Sequence, residues 1–434
     1  MKKTFIAILC FQICLIGSCK KPPQESPPIE PKPITYHGKL EVLWEALFHS
    51  DTTPDFFWDF EVADNQYLVL ANIYDRAYGK PRGIGVYNMQ TGERHPAWQN
   101  DPGGIFGISE REELADCKVA GKNKDIILIY NYFELFAYNL HTGQRMWKLN
   151  IQNLGGVGIP KMSAQGDYAF ISYGPGGALS KSWYRLVMVD VYSGQKREVL
   201  QLEIEDNYEF EINPPSAYVM NNGDTLLFFT TSALNFETLD GRAYTYCYNL
   251  TKKEMIWINK PLTTDRNMSA SASKHPPFIA ENDKLIVTGR KMIWCLNQHT
   301  GEMIWERDEL FTTGCNPLYH EGKLYIRANN PCILLCLDVQ TGQTVWQNTT
   351  LNPYPAFDGA MAIYKDRLYF SVSGNNATYH LACIDIYTGQ ELWRDRGPYG
   401  NGFAFGVLID QKTGYLYCNT GWSVMCVDLN KTPK

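Results

Sequence analysis

Twelve cysteines are the residues of this 434-residue chain with the most obvious potential for chemistry. Their thiols could form disulfides, hold a metal ion or carry a redox reaction. Cys332 and Cys336 are spaced as C-x-x-x-C, but no other Cys or His lies at a spacing that would complete four ligands. Cys418 and Cys426 could form a disulfide between adjacent strands, and the sequence leaves this open. We predict no metal site and no thiol-redox site.

Acidic residues and net charge narrow the function classes further. Glu203, Glu205 and Asp206 are close in sequence but lack the alternating spacing that brings Asp and Asn oxygens onto one Ca²⁺ ion, so we interpret them as a solvated loop. The chain has 40 Lys and Arg against 46 Asp and Glu, a net charge of −6. Because no surplus of cations is present to neutralise phosphates, we predict no nucleic-acid partner.

The first 35 residues are typical of an exported, anchored protein. Lys2 and Lys3 precede an apolar run at residues 5–16, which is short for a bilayer span and typical of a signal peptide. Residues 16–19 (IGSC) resemble the bacterial lipobox, whose cysteine, here Cys19, is lipidated. We expect three segments: a lipoprotein signal peptide (1–18), a lipid-anchored Pro-rich tether (19–35) and one domain (36–434).

One phrase recurs along the domain. A strand ends in Asn or Asp, a short turn usually contains Thr-Gly, and a second strand carries Trp. The Asx side chain can accept backbone N–H bonds, and Gly supplies the positive φ that closes the turn. Successive turns are 41 to 59 residues apart, which indicates a repeat architecture. The copies are YNMQTGERHPAW (87–98), YNLHTGQRMW (138–147), VDVYSGQKRE (189–198), YNLTKKEMIW (248–257), LNQHTGEMIW (296–305), LDVQTGQTVW (337–346), IDIYTGQELW (384–393) and a shortened VDLNKTPK (427–434).

Two further strand-like runs precede each hairpin, so each repeat supplies the four strands of one propeller blade. The eighth copy lacks its last strand, and the orphan strand at residues 38–48 can complete it and close the ring. We predict an all-β fold, an eight-bladed β-propeller of four-stranded antiparallel blades. Seven blades are the alternative, because the third repeat has no Trp and the fourth has Lys252-Lys253 in place of Thr-Gly.

Two residue types occupy fixed positions in the repeat. A Trp on the outer strand buries a large area against the neighbouring blade, so we predict a structural, blade-docking role for it. Cysteines align two residues before the Asx, where the packed strand needs a small apolar side chain. Equivalent positions in adjacent blades are about 10 Å apart, too far for a disulfide. The tryptophans are Trp44, Trp98, Trp147, Trp257, Trp305, Trp346 and Trp393, and the cysteines are Cys247, Cys295, Cys336, Cys383 and Cys426.

The phrase resembles the tryptophan-docking repeat of pyrroloquinoline-quinone-type (PQQ-like) propellers, roughly A-L-D-x-x-T-G-x-x-x-W, over nearly the whole domain. With its lipobox and tether, the chain most resembles the outer-membrane-protein assembly factor B group. This resemblance implies a scaffold without catalytic residues or cofactor, lipid-anchored to the outer membrane and facing the periplasm. Its implied partner is a membrane-bound protein of the β-barrel assembly machinery. The alternatives are a quinoprotein-like enzyme, although no Cys-Cys pair occurs in the chain, and a carbohydrate-binding propeller.

The partner surface is expected where strand two is joined to strand three and one blade to the next, and we call this end of the propeller the loop face. These connections are long and rich in aromatic residues and Arg, the types enriched at interface anchors. The predicted partner-binding residues are Arg76, Tyr78, Arg82, Trp183, Arg185, Phe236, Arg242, Arg266, Tyr354, Phe357 and Tyr399.

Overall fold

A computed structural model of the chain describes most of the predicted domain. The described residues are 40–47, 56–73, 84–98, 114–131, 134–151, 161–173, 183–203, 209–235, 237, 241–260, 275–281, 283–289, 292–308, 317–329, 332–351, 360–373, 379–395, 406–419 and 423–432. The predicted signal peptide and tether, with Cys19, lie outside these ranges. Among the described residues, no helix has the length and apolar character needed to cross a membrane.

Eight antiparallel sheets follow one another along the described chain, and we number them blades 1 to 8. Within a blade, hydrogen-bonded neighbours follow the order of the sequence, except in blades 4 and 8, which are described below. A cluster of buried apolar side chains joins each blade to the next, and a further cluster joins blade 8 to blade 1. The sheets therefore form a closed ring, and the prediction of an all-β, eight-bladed propeller is confirmed.

The strands have the following bounds. The chain begins with β1 (Val42–Leu47), which belongs to blade 8. Blade 1 holds β2 (Phe56–Ala63), β3 (Tyr67–Ile73) and β4 (Ile84–Asn88); blade 2 holds β5 (Leu114–Ala120), β6 (Ile126–Asn131), β7 (Glu134–Asn139) and β8 (Arg145–Asn150). Blade 3 holds β9 (Lys161–Gln165), β10 (Tyr168–Tyr173), β11 (Trp183–Asp190) and β12 (Lys196–Glu203); blade 4 holds β13 (Glu209–Ile212), β14 (Ser216–Val219), β15 (Thr225–Leu234), β16 (Gly241–Asn249) and β17 (Glu254–Asn259). Blade 5 holds β18 (Phe278–Ile279), β19 (Lys284–Thr288), β20 (Met292–Asn297) and β21 (Met303–Asp308); blade 6 holds β22 (Leu318–His320), β23 (Lys323–Asn329), β24 (Cys332–Asp338) and β25 (Thr344–Asn348). Blade 7 holds β26 (Ala362–Tyr364), β27 (Arg367–Ser373), β28 (Tyr379–Asp385) and β29 (Glu391–Asp395); blade 8 holds β30 (Val407–Asp410), β31 (Tyr415–Asn419) and β32 (Ser423–Asp428), with β1 as its outer strand.

The N-terminal strand closes the ring, as the sequence predicts. β1 pairs antiparallel with β32, with Trp44 opposite Cys426. Ser423 Oγ donates a hydrogen bond to Glu45 Oε1 at 2.5 Å, and Asp428 N donates to Glu41 O at 2.9 Å. Pairing the two ends of the chain in one blade removes the free edge that an incomplete blade would expose.

Blade 1 departs from the predicted four strands, since the structure describes only three. Trp98 lies in a short 3-10 helix (Pro96–Trp98) and not in an outer strand, so the expectation of a strand there is wrong. The cause is local: this copy has two additional residues between turn and Trp, and Pro96 has no N–H to donate to a ladder. A single bridge between Tyr87 and Arg94 replaces the outer strand pairing.

Blade 4 has an innermost strand broken in two. β13 and β14 both pair with β15, and residues 213–215, which include two prolines, separate them. Pro cannot donate to the ladder, so pairing stops there. The buried Asn213 bridges the gap, because its N–H donates to Thr230 O at 2.8 Å and its Nδ2 donates to Thr230 Oγ1 at 2.9 Å.

Candidate functional site

The recurring turns are built as predicted, from an Asx acceptor and a residue with positive φ. In blade 2, Asn139 Oδ1 accepts N–H bonds from His141 and Thr142 at 3.1 and 3.0 Å. Gly143 closes the turn with φ +65°, and its N–H donates to Asn139 O at 2.9 Å. These turns lie at the end of the ring opposite the loop face, which we call the hairpin face.

Six of the seven repeat tryptophans contact the hairpin turn of the next blade. The indole Nε1 donates to the carbonyl of the residue after the Asx, across 34 to 45 residues of sequence. The pairs are Trp44 with Met89, Trp98 with Leu140, Trp147 with Val191, Trp257 with Gln298, Trp305 with Val339 and Trp346 with Ile386, at 2.6 to 3.0 Å. Repeated at successive seams, this contact joins sheets that share no backbone ladder.

The turn glycine is required by the same contact. A Cβ at Gly92 would lie 2.5 Å from Cε3 of Trp44, and one at Gly194 would lie 2.8 Å from Cδ2 of Trp147. Both glycines also have φ above +70°, a conformation that L side chains rarely adopt. Glycine therefore serves the turn and the close approach of the indole at once.

The repeated cysteines lie directly beneath these tryptophans. Each pairs with the Trp of the outer strand on one side and, in four blades, with an aromatic residue of the second strand on the other. The rings that flank the thiol are 6.0 Å apart in every case, so a large side chain would not fit between them. These rows are Phe228–Cys247–Trp257, Tyr325–Cys336–Trp346, Tyr369–Cys383–Trp393 and Tyr417–Cys426–Trp44.

The buried thiols are held in their protonated, unreactive form. Burial raises the pKa of the Cys247, Cys295, Cys336, Cys383 and Cys426 thiols to about 12. The thiolate is the reactive form, so little is available at neutral pH. Cys418, which the sequence leaves open as a disulfide partner of Cys426, is also a free buried thiol, and burial raises its pKa well above the ordinary value. Among the described residues, no group of three or more His, Cys, Asp or Glu side chains is placed to hold a metal ion.

The seam between blades 3 and 4 lacks both the tryptophan and the turn glycine. In the repeat alignment Glu198 stands at the Trp position of blade 3, but the strand register sets Arg197 opposite Met188, where other blades have Trp. In blade 4 the turn-Gly position is Lys253, which has φ +60°. The two changes fit each other, because a Cβ at the turn would obstruct an indole and no indole is present. The bulge that precedes Trp in other outer strands is also displaced here, to a point between Leu186 and Val187. The sequence shows both irregular repeats, and their adjacency in the repeat order is the signal that links them.

A second seam keeps the tryptophan without its acceptor. Trp393 is buried, yet its Nε1 has no hydrogen-bond partner among the residues that the structure describes. The facing turn follows Asp428 and holds Thr432 where other blades have Gly. The seam between blades 7 and 8 therefore lacks the indole hydrogen bond.

The predicted partner-binding residues fall mainly outside the described ranges. This applies to Arg76, Tyr78, Arg82, Phe236, Arg266, Tyr354, Phe357 and Tyr399. The other three were expected in loops, and this placement is wrong: Trp183 and Arg185 belong to β11, and Arg242 belongs to β16. Both strands run farther toward the loop face than the hydrophobic pattern indicates, since their partners β12 and β15 continue the ladder.

Arg185 is held by two cross-strand contacts. Its Nε donates to Gln201 Oε1 at 2.9 Å, and its Nη1 lies 3.4 Å from Glu198 Oε2. Arg242 is opposite Ala233 in the ladder and is half-buried. Arg185 and Arg242 therefore lie in the parts of β11 and β16 that extend toward the loop face, in the neighbouring blades 3 and 4.

Comparison with known proteins gives one family match. Residues 246–402 match the model of a family described as outer membrane protein assembly factor BamB, a match that covers less than half of the chain. The matched part begins within β16 and ends after β29. No curated protein matches the chain.

Solved structures share the fold at low sequence identity. The computationally designed protein Ika8 is 10% identical with a TM-score of 0.59, and the match covers 90% of this chain and 100% of that one. BamB from Moraxella catarrhalis is 10% identical with a TM-score of 0.53, covering 92% of this chain and 100% of that one. At this identity the likeness shows a common architecture.

Proposed function

We propose that this PQQ-like β-propeller, similar to the assembly factor BamB, is a non-catalytic scaffold that binds a membrane-bound protein through its loop face. We further propose that it is lipidated on Cys19, lies at the periplasmic side of the outer membrane and acts with the β-barrel assembly machinery.

The observation that carries the proposal is how the chain uses its most reactive side chains. The repeat cysteines are buried beneath indoles with raised pKa values, and the indoles are committed to seams between blades. The repeat cysteines and tryptophans thus pack the blades against one another. A rigid ring that presents connections at one end is suited to holding partners.

Affinity purification of the full chain from cross-linked envelope membranes tests the scaffold role. We expect a membrane protein of the barrel-assembly machinery to co-purify, and the variant Arg76→Ala/Tyr78→Ala/Arg82→Ala to reduce its recovery. Lys122→Ala/Lys412→Ala on the hairpin face is the matched control and should leave recovery unchanged. Saturable binding of a quinone or a glycan, with no membrane protein recovered, would contradict the proposal.

Membrane fractionation tests the anchor separately. Wild-type protein is expected in the outer-membrane fraction, and Cys19→Ser is expected to leave it, because the thiol is the atom that carries the lipid. Retention of Cys19→Ser in the membrane at wild-type levels would show that lipid on this residue is not the anchor.

A further inference from the structure

We propose that the seam between blades 1 and 2 is acid-sensitive, because protonation of His95 releases the short helix Pro96–Trp98 from blade 2. We call this segment the Trp98 helix. The inference concerns a conformational change within the ring. It goes beyond the proposed scaffold function and does not depend on it.

The Trp98 helix holds blade 2 at this seam. Trp98 is buried, and its Nε1 donates to Leu140 O in the hairpin turn of blade 2 at 2.6 Å. The turn also packs on the backbone of the helix, since a Cβ at Gly143 would lie 2.5 Å from a carbonyl oxygen of the helix. At the other seams with a repeat tryptophan, the Trp belongs to an outer strand with a backbone ladder, whereas a single bridge ties the segment before the Trp98 helix to β4. The helix can therefore detach without the unfolding of a sheet.

His95 fixes the start of this helix with two hydrogen bonds. Its carbonyl accepts the N–H of Trp98 at 2.8 Å, and Nδ1 of its ring accepts the N–H of Ala97 at 3.2 Å. The ring thus acts as the Asx side chain does in the recurring turns, where Asn88 Oδ1 accepts the N–H of Gln90 at 2.8 Å. Because Nδ1 is the acceptor, the neutral ring carries its proton on Nε2. A second proton must go to Nδ1, and it removes the bond to Ala97.

The surroundings of His95 disfavour the charged ring. His95 is 8% exposed, and Tyr67 of β3 packs edge-on against it, with ring centres 4.8 Å apart. Burial lowers the pKa of His95, and His141 in the hairpin turn of blade 2 lowers it further. The charged neighbours in its own segment are Glu93, which is exposed, and Arg94, whose guanidinium donates to a backbone carbonyl of β4. Among the described residues no carboxylate forms an ion pair with His95, so a positive charge on the ring would not be compensated.

The seam should therefore weaken on the acid side of neutrality. The buried ring, with its lowered pKa, holds a proton less tightly than the released ring, whose pKa is the ordinary 6.5. The contact is complete above pH 6.5 and is lost progressively as the pH falls below 6.5 toward the pKa of the buried ring. Acid thus favours the state in which the Trp98 helix has left blade 2, and a return to neutral pH restores the contact.

Hydrogen–deuterium exchange of the full-length protein at pH 7.5 and pH 5.5, corrected for the intrinsic pH dependence of exchange, tests the inference. We expect the amides of Ala97 and Trp98 to lose up to about tenfold of their protection at the lower pH, which is about one unit below the ordinary pKa of histidine. β8, which carries Trp147 against blade 3, should keep its protection. Equal protection of the Trp98 helix at the two pH values would overturn the inference.

Two variants separate His95 from other titrating groups. His95→Asn keeps an acceptor near the position of Nδ1 but does not titrate, so protection of the Trp98 helix should be the same at both pH values. His299→Asn is the matched control: it removes a histidine from the hairpin turn of blade 5, at the repeat position that His141 has in blade 2, and should respond to acid as wild type does. A response to acid that persists in His95→Asn would contradict the assignment.

Titration of wild type decides the matter even where His95→Asn does not fold. The imidazole of His95, followed by NMR in the full-length protein, should titrate below pH 6.5. A ring that titrates at or above pH 6.5 would show that the folded seam does not exclude the charged form, and the inference would be wrong.

Discussion

Trp257 of blade 4 packs directly on Gly301 of blade 5: a Cβ at Gly301 would lie 2.5 Å from Cε3 of the indole, and Nε1 donates to Gln298 O at 2.9 Å. One tryptophan, one glycine and one carbonyl thus form a lock between two sheets. Because versions of this contact recur around the ring, the stability of the propeller depends on it at several seams, and the irregular seams supply internal comparisons.

Replacing a turn glycine that packs on an indole should cost more than replacing a turn glycine with open space beside it. Gly301→Ala adds a Cβ against Trp257 and a non-glycine residue at φ +72°. We expect a loss of about 2–4 kcal/mol in the free energy of unfolding, from backbone strain and overpacking together. Urea unfolding followed by tryptophan fluorescence measures it.

Gly166→Ala is the control, because Gly166 has φ +55° and nothing within 4 Å of an added Cβ. It should show the strain alone, about 1–2 kcal/mol. Equal losses for the two variants would mean that indole contact does not restrict the turn.

The indole hydrogen bond can be isolated with two buried tryptophans at the same repeat position. Trp346 Nε1 donates to Ile386 O at 2.8 Å, whereas Nε1 of Trp393 has no acceptor among the described residues. Trp346→Phe should therefore destabilise the protein by about 1–3 kcal/mol more than Trp393→Phe, since it leaves a buried carbonyl unpaired. Denaturant midpoints of the two variants give the comparison; a larger loss for Trp393→Phe would argue against the assigned role of the bond.

At the seam between blades 3 and 4, an indole contact with the facing turn should form only when both blades are changed. Arg197 pairs with Met188 as Trp147 pairs with Ala137, so the indole belongs at position 197. Arg197→Trp alone meets the Cβ of Lys253, and Lys253→Gly alone has no indole to contact. The double variant should be more stable than the sum of the single changes, by about 0.5–3 kcal/mol of coupling. A double-mutant cycle from thermal or urea unfolding measures this coupling. Additive effects would show that this seam cannot form the Trp–Gly contact of the other seams.

Alkaline pH should destabilise the protein through its buried thiols. The folded state raises the pKa of five cysteines from 9.0 to about 12, so it holds these protons more tightly than the unfolded chain does. Their stabilising contribution is complete below pH 9 and is lost as the pH rises toward 12, by roughly 1 kcal/mol per thiol over the first unit.

Unfolding free energies between pH 7 and 10 test this sign. Cys247→Ala/Cys383→Ala should flatten the profile above pH 9, and Ala137 shows that alanine is accommodated at the same position in blade 2. An unchanged slope in the double variant would mean that these thiols do not control the alkaline limit.

Much of the architecture follows from local pattern. Asx and Gly at fixed offsets specify the turns, and the eight copies of the phrase predict eight blades. The truncated last copy and the orphan first strand predict that β1 closes the ring. The unpaired state of the repeat cysteines also follows, because identical positions in successive blades are too far apart to bond.

Local pattern could not give every element boundary. Pro96 converts one outer strand into a short helix that holds Trp98, and β11 and β16 extend into regions that composition suggested were loops. For β11 and β16 the outcome depends on whether a partner strand is available for pairing, and that partner is not encoded in the segment itself.

The sequence by itself determined the repeat, the turns and the fixed repeat positions of Trp, Gly and Cys, because these depend on residues a few positions apart. Only the tertiary structure decided which carbonyl each indole reaches. Those contacts join residues of different blades, separated by tens of positions in the chain. They exist only once the ring has closed and set one sheet against the next.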